Sequence, residues 1–128
     1  MDNKPELQFL PGRYAVGRMD RRSTVPIWAM QGGFYSVTRT ADELSIVCDE
    51  RLMPDGVTCV KGYIALKMLG PLDFSLTGIL AAISAVLAEA KVSIFALSTY
   101  DTDYILIRER DKAAAVKALT EAGYVVHA

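Results

Sequence analysis

From Tyr63 onward, apolar and polar positions change period at clear breaks, and each stretch between breaks reads as one element. Tyr63 to Leu69 is a mainly apolar run closed by Gly70-Pro71, which predicts a strand. Ile79, Leu80, Ile83, Val86, Leu87 and Ala90 then recur at i, i+1, i+4, i+7, i+8 and i+11, one face of a helix. Ala81, Ala85 and Ala88 give that helix another side small enough for close packing. Val92 to Ser98 and Tyr104 to Arg108 read as two strands around a tight turn. Asp111 is placed to cap a second helix, with Ala115, Val116, Leu119 and Ala122 inward and Gly123 as its left-handed stop. Tyr124-Val125-Val126 closes as a strand. The order is βαββαβ, an α+β arrangement of ferredoxin-like type.

The first half is less regular. Leu7, Phe9 and Tyr14-Ala15-Val16 are strand material interrupted by Pro11-Gly12. Ser23 or Thr24 is placed to cap a short helix with Pro26 in its first turn and Ile27, Trp28 and Met30 as its buried face. Phe34 to Thr38 and Leu44 to Cys48 form a predicted hairpin around Thr40-Ala41-Asp42, and Glu50 to Thr58 is a turn-rich bridge. Laid over each other, FYSVTRTADELSI from Phe34 matches FALSTYDTDYILI from Phe95, pairing Thr38 with Thr99 and Asp42 with Asp103 at an offset of 61 (99 − 38 = 103 − 42). The reading is therefore a shortened copy of the unit over residues 1–60, followed by a complete one over 61–128.

Both strands of the second hairpin are almost continuously apolar, whereas a sheet covered on one face alternates. Something covers part of its other face, either the first half or a second chain. We therefore expect a homodimer.

Composition narrows the function. At 52% hydrophobic and 23% charged, the 128 residues have enough apolar side chains for a packed core. A net charge of −1 argues against nucleic acid as a partner. The polar start MDNKPELQ lacks the order of a signal peptide, and the longest apolar run, Gly78 to Ala88, is far too short to span a bilayer. No membrane partner is expected. Cys48 and Cys59 give no disulfide framework and, with one histidine, no metal set, so the reading is a reduced cytoplasmic protein without metal or cofactor.

Enzymes of this fold class meet the same difficulty. Acylphosphatase-like chemistry needs an asparagine to position water, and the single asparagine, Asn3, lies in the N-terminal tail. A serine hydrolase would have to use His127, with no G-x-S-x-G elbow anywhere. An RNA-binding sheet needs aromatic and basic residues that YILIRER does not offer. No catalytic residues are assigned.

Polar side chains and glycine break the apolar pattern in two loops that flank the first helix and the second hairpin. Asp73-Phe74-Ser75-Leu76-Thr77-Gly78 precedes the helix, and Ser98-Thr99-Tyr100-Asp101-Thr102-Asp103 joins the strands. On one sheet edge they form a site for a small polar ligand. The unpaired N–H groups of the helix start suit a carboxylate, and Gly78 allows close approach of the ligand to the backbone. Asp103 suits an ammonium or a basic side chain, with Ser98 and Thr99 supplying hydroxyls. Each residue has a plainer role too. Ser75 or Thr77 can serve only as a helix cap, Asp101 as a turn residue, and Asp103 as a strand-entry residue paired with Arg39 or Arg108.

The βαββαβ order with its Gly-Ile-Leu helix start resembles the ACT domain. The string FSLTGILAAISAVLAEAKVSIFALSTYDTDYILI is similar to the branch of that family containing the cytosolic CASTOR-type arginine sensors. In that branch a glycine-led helix is followed by a strand ending in Ser-Thr-aromatic and an Asp before the next strand. The resemblance implies a small stand-alone, non-enzymatic module of allosteric regulation, with an amino acid lodged between two ACT units. It also places the family's acidic position on Asp103. The alternative is a dimerisation or protein-interaction module with no ligand, which ligand-induced stabilisation separates from a sensor.

Overall fold

The computed structural model describes residues 4–70 and 78–128. Its elements are β1 (Leu7–Phe9), β2 (Tyr14–Met19), β3 (Ser36–Arg39), β4 (Leu44–Asp49), β5 (Thr58–Met68), α1 (Ile79–Glu89), β6 (Phe95–Ser98), β7 (Asp103–Arg108), α2 (Lys112–Glu121) and β8 (Val126–His127). Short 3-10 turns stand at Ile27–Met30, Glu50–Leu52 and Glu109–Asp111. The chain divides into two compact units, residues 12–63 and residues 1–11 with 64–128, and the division falls inside β5.

The second unit has strand order β8-β1-β5-β7-β6. This is the ferredoxin-like order with one added strand, because β1 enters between β5 and β8. It runs antiparallel to β5, with Leu7 opposite Met68, and parallel to β8, with Leu7 opposite Val126. A Leu-x-Phe pair buries two side chains on one face of any sheet, so its sequence does not say which sheet it joins. Ile83 and Leu87 of α1, with Ala115 and Leu119 of α2, are fully buried against Leu7, Leu66, Ile105 and Ile107. Leu106 points to the opposite face and is fully buried too, so a single chain covers that face at this point.

The two helices end differently. Gly123 takes a left-handed conformation after α2, as its sequence position predicts. After α1 the same conformation falls on Lys91, the one non-glycine residue with positive φ among those described. Asp111 stands at the N-cap of α2, but its side chain accepts no capping bond. The preceding 3-10 turn gives it φ −95° and ψ 1° rather than the extended backbone that turns a cap back over the first turn.

The first unit repeats the strand plan with the helices reduced to 3-10 turns. Its order is β3-β4-β2-β5, and β2 lies antiparallel to both β4 and β5. Its core is Ala15, Ala29, Leu44, Ile46, Cys48 and Met53. The predicted short helix is a four-residue 3-10 turn with Pro26 at its N-cap and no side-chain cap. Such a turn has no long apolar face. It buries Ala29 and packs the half-buried Trp28 on the core as expected, but leaves Ile27 75% and Met30 47% exposed, against the sequence expectation. Burial pushes the Cys48 thiol above its ordinary pKa, with the Asp49 carboxylate and then Cys59 adding to the shift, so it is a poor nucleophile.

A β-bulge marks the first part of β5. Tyr14 lies opposite Tyr63 and Val16 opposite Val60, so Lys61 and Gly62 together face Ala15. Gly62 adopts φ +82°, and its N–H donates to the Glu50 carboxylate at 2.9 Å. Glu50 also lies 3.5 Å from the Arg13 guanidinium, and its own N–H donates to the Arg13 carbonyl.

The two hairpins correspond at an offset of 59, not 61. Arg39 faces Leu44 as Ser98 faces Asp103, and both turns close with the same bond, Thr40 N–H to the Glu43 carbonyl and Thr99 N–H to the Thr102 carbonyl. The 3-10 turns that follow start at Glu50 and Glu109 (98 − 39 = 99 − 40 = 109 − 50 = 59). Thr99 thus corresponds to Thr40 rather than Thr38, and the counterpart of Asp42 is Asp101 rather than Asp103.

Candidate functional site

The turn between β6 and β7 is built by threonine. Besides the backbone bond at 2.8 Å, the Thr99 hydroxyl donates to the Thr102 carbonyl at 3.1 Å and accepts the Thr102 N–H at 3.3 Å. Thr102 is buried, and its hydroxyl donates to the Met68 carbonyl at 2.5 Å. That bond pins the turn to the last residue of β5. A burial of this kind is favourable only because the hydroxyl finds an acceptor.

Beside the turn lies a cleft of about 150 Å³ lined by Lys67, Gly70, Thr99, Asp101, Thr102 and Tyr104. It combines one ammonium, one carboxylate, hydroxyls and an open glycine backbone, so it can offer both a donor and an acceptor to a small polar molecule. A wider groove of about 430 Å³ runs between α1 and α2. Its walls are Val86, Ala90, Ala118 and Ala122 with the carboxylates of Glu89 and Glu121, so its polar side chains are acceptors only. The smaller cleft has the chemistry.

Of the residues assigned from sequence, Thr99 lines the cleft. Ser98 and Asp103 face each other across β6 and β7, where the Ser98 hydroxyl donates to the Asp103 carboxylate at 2.5 Å. Arg39, one partner considered for Asp103, instead directs its guanidinium to the carbonyls of Arg21 and Ser23. Gly78 is the N-cap of α1 with φ +80°, and a Cβ there would meet nothing within 4 Å. Asp73, Phe74, Ser75, Leu76 and Thr77 lie outside the described residues. Sequence reasoning missed Lys67, Gly70 and Tyr104, placed Thr102 in the candidate loop without a role, and gave Asp101 a turn role alone. One signal was present, since Lys67 is the single charge in the run from Tyr63 to Leu69.

Among the described residues no group of three or more His, Cys, Asp or Glu is placed to hold a metal ion. Among the described residues no helix is long and apolar enough to cross a membrane either.

Comparison with known proteins agrees with this architecture. A family model described as an N-terminal domain matches residues 12–56. The cytosolic arginine sensor for mTORC1 subunit 1 from Bos taurus is 32% identical over 97 residues, covering 67% of this chain and 30% of the sensor. The chain thus spans about a third of the length of the curated relatives it matches. A crystal structure of a protein from Agrobacterium tumefaciens is 36% identical, with a TM-score of 0.92 over 98% of this chain and 93% of that one. The ligand-free regulatory subunit of aspartate kinase from Thermus thermophilus is 10% identical with a TM-score of 0.61, covering 88% of this chain and 93% of that one, a likeness of fold alone. The ACT domain model matches residues 58–121, half of the chain, and with the ferredoxin-like order of the second unit it shows that this chain belongs to the ACT-domain family.

Proposed function

We propose that this chain is a non-enzymatic regulatory module of the cytoplasm that binds a free amino acid beside the turn between β6 and β7. The observation that carries the reading is that Lys67 and Asp101 line one small cleft together with Thr99 and Thr102. One positive and one negative group in the same cleft suit the two charges of a zwitterion. Thr99 orients the ligand, and Asp73, Phe74, Ser75, Leu76, Thr77 and Gly78 keep the ligand-binding part that their sequence gives them. The name of the mammalian relative, an arginine sensor, supports the ligand class.

The ligand's ammonium goes to Asp101 in this proposal. The assignment to Asp103 rests on a repeat register of 61 and on the family's acidic position. At 59 the repeat favours Asp101, while one Asp103 oxygen already accepts from Ser98. Asp103 keeps a supporting place on the rim of the site, open to a basic side chain of the ligand.

The working form is a homodimer, with ligand between ACT units. Support comes from α1, whose exposed positions Ala81, Ala82, Ala85 and Ala88 form an uncharged stretch up to Glu89 at its end, unlike the usual outer face of a surface helix. Light scattering is expected to give twice the 14.0 kDa chain mass.

A thermal-shift panel of the common amino acids tests the binding. A ligand at about 100 times its Kd adds about 2.7 kcal/mol of stability, an easily measured rise in Tm. A panel in which no amino acid at millimolar concentration raises Tm overturns the reading and leaves a module that only associates.

A further inference from the structure

The first unit carries a copy of the turn between β6 and β7 that shows what the second one lacks. At the offset of 59, Thr40, Asp42 and Glu43 correspond to Thr99, Asp101 and Thr102, and the hydroxyls of Thr40 and Thr99 close their turns with the same bonds. On the neighbouring strand Arg18 lies opposite Ser45, the counterpart of Tyr104. Its guanidinium reaches the Glu43 carboxylate at 3.6 Å and donates to the Asp42 carbonyl at 3.4 Å. In the second unit Lys67 lines the cleft with Tyr104, Asp101 and Thr102, so a cation again faces the far half of the turn. Here, however, the position of Glu43 is Thr102, and the Thr102 hydroxyl is already given to the Met68 carbonyl. Among the described residues no carboxylate lies within 4.0 Å of the half-buried Lys67 ammonium.

We propose that Lys67 is the anchor for a carboxylate supplied by the ligand, and that the first turn is a self-filled version of the same site, with Glu43 in the ligand's place. The first unit meets its cation from within the chain, and the second meets it from outside. This rests on the amino-acid reading for the identity of the ligand, but the anchor itself requires only a carboxylate. It fixes the polarity of binding, with the α-carboxylate at Lys67 and the ammonium toward Asp101.

The test uses the full chain with ¹⁵N labelling, titrated with acetate, with each amino acid that raised Tm, and with the α-carboxamide of each. Saturable shifts at the amides of Thr99 to Tyr104 are expected with acetate and the amino acids. The carboxamides and the Lys67→Gln protein should bind about tenfold to a hundredfold more weakly. Lys67→Arg should restore most of the affinity, which a merely structural lysine would not require. In the reverse direction, Glu43→Thr should free Arg18 and let acetate shift the amides of Thr40 to Leu44, where the wild type shows none. Carboxamides that bind as tightly as the acids overturn the anchor while leaving amino-acid binding intact. Acetate binding that needs Lys67, with no amino acid binding better, upholds the anchor and overturns the amino-acid reading. No saturable shift with any of these probes overturns both, and a silent Glu43→Thr turn overturns the self-filled copy.

Discussion

The two units share a strand plan but differ in what covers it. In the second, α1 and α2 lay Ile83, Leu87, Ala115 and Leu119 on the sheet, and among the described residues thirteen buried ones form the core. In the first, two 3-10 turns stand in the helix positions, and the core has six buried residues. A full helix brings several apolar side chains to one face, whereas a single 3-10 turn brings one or two. The first unit compensates with polar closure: Glu50 holds the bulge at Gly62, and Glu43 holds Arg18. At the corresponding turn the second has Thr102 in place of Glu43 and borders the cleft lined by Lys67 and Asp101.

The largest effect should come from the core that separates the units. Leu87→Ala is expected to cost about 3–5 kcal/mol in urea unfolding, and Ile46→Ala toward 2–3 kcal/mol because the smaller core has less to leave unfilled. A larger loss at Ile46 would break the ranking. Next is the polar closure of the first unit. Glu50→Ala leaves the Gly62 N–H without its acceptor, at about 1–3 kcal/mol, and amide exchange at Gly62 should accelerate. Unchanged exchange there would mean that backbone pairing alone holds the bulge.

Ligand binding sharpens the contrast at the two turns. Calorimetry with an amino acid from the panel should show Asp101→Asn losing about tenfold or more in affinity, with Asp103→Asn losing less. The opposite order would return the ammonium to Asp103. The smallest effect lies at the helix ends of the second unit. Lys91→Gly should stabilise by about 0.5–1 kcal/mol, because glycine relieves the left-handed backbone, and Gly123→Ala should cost about 1 kcal/mol for the same reason. A Lys91→Gly protein no more stable than wild type would show that the lysine side chain offsets its own strain.

Features set by local spacing were legible in the sequence. The face of α1, the βαββαβ order and the stop at Gly123 all follow from residues within a few positions of each other. The hairpin register was not, for a geometric reason. Side chains alternate with period two along a strand, so sliding one hairpin by two residues keeps every apolar residue on its face. Phe34 over Phe95 therefore gives a pattern as good as the true one, and the strand register, the turn bonds of Thr40 and Thr99 and the starts of the 3-10 turns separate 61 from 59. The bulge at Gly62 and the place of Leu7–Phe9 depend on partners far along the chain, which no local period reports. For the site, Thr99 was found because it breaks an apolar run. Lys67 was passed over because a lone lysine in a strand is usually a solvated one.

The place of β1 also bears on how this chain comes to be folded. Leu7 sits beside Val126, 119 positions away (126 − 7 = 119), and also beside Met68. A pairing that closes so long a loop must wait for the intervening chain, and non-local strand pairing is slow to form. During synthesis the Leu-Gln-Phe strand emerges well before both its neighbours in the sheet. Its unpaired edges must stay harmless in the meantime, a task suited to its three-residue length and to the polar and proline residues around it.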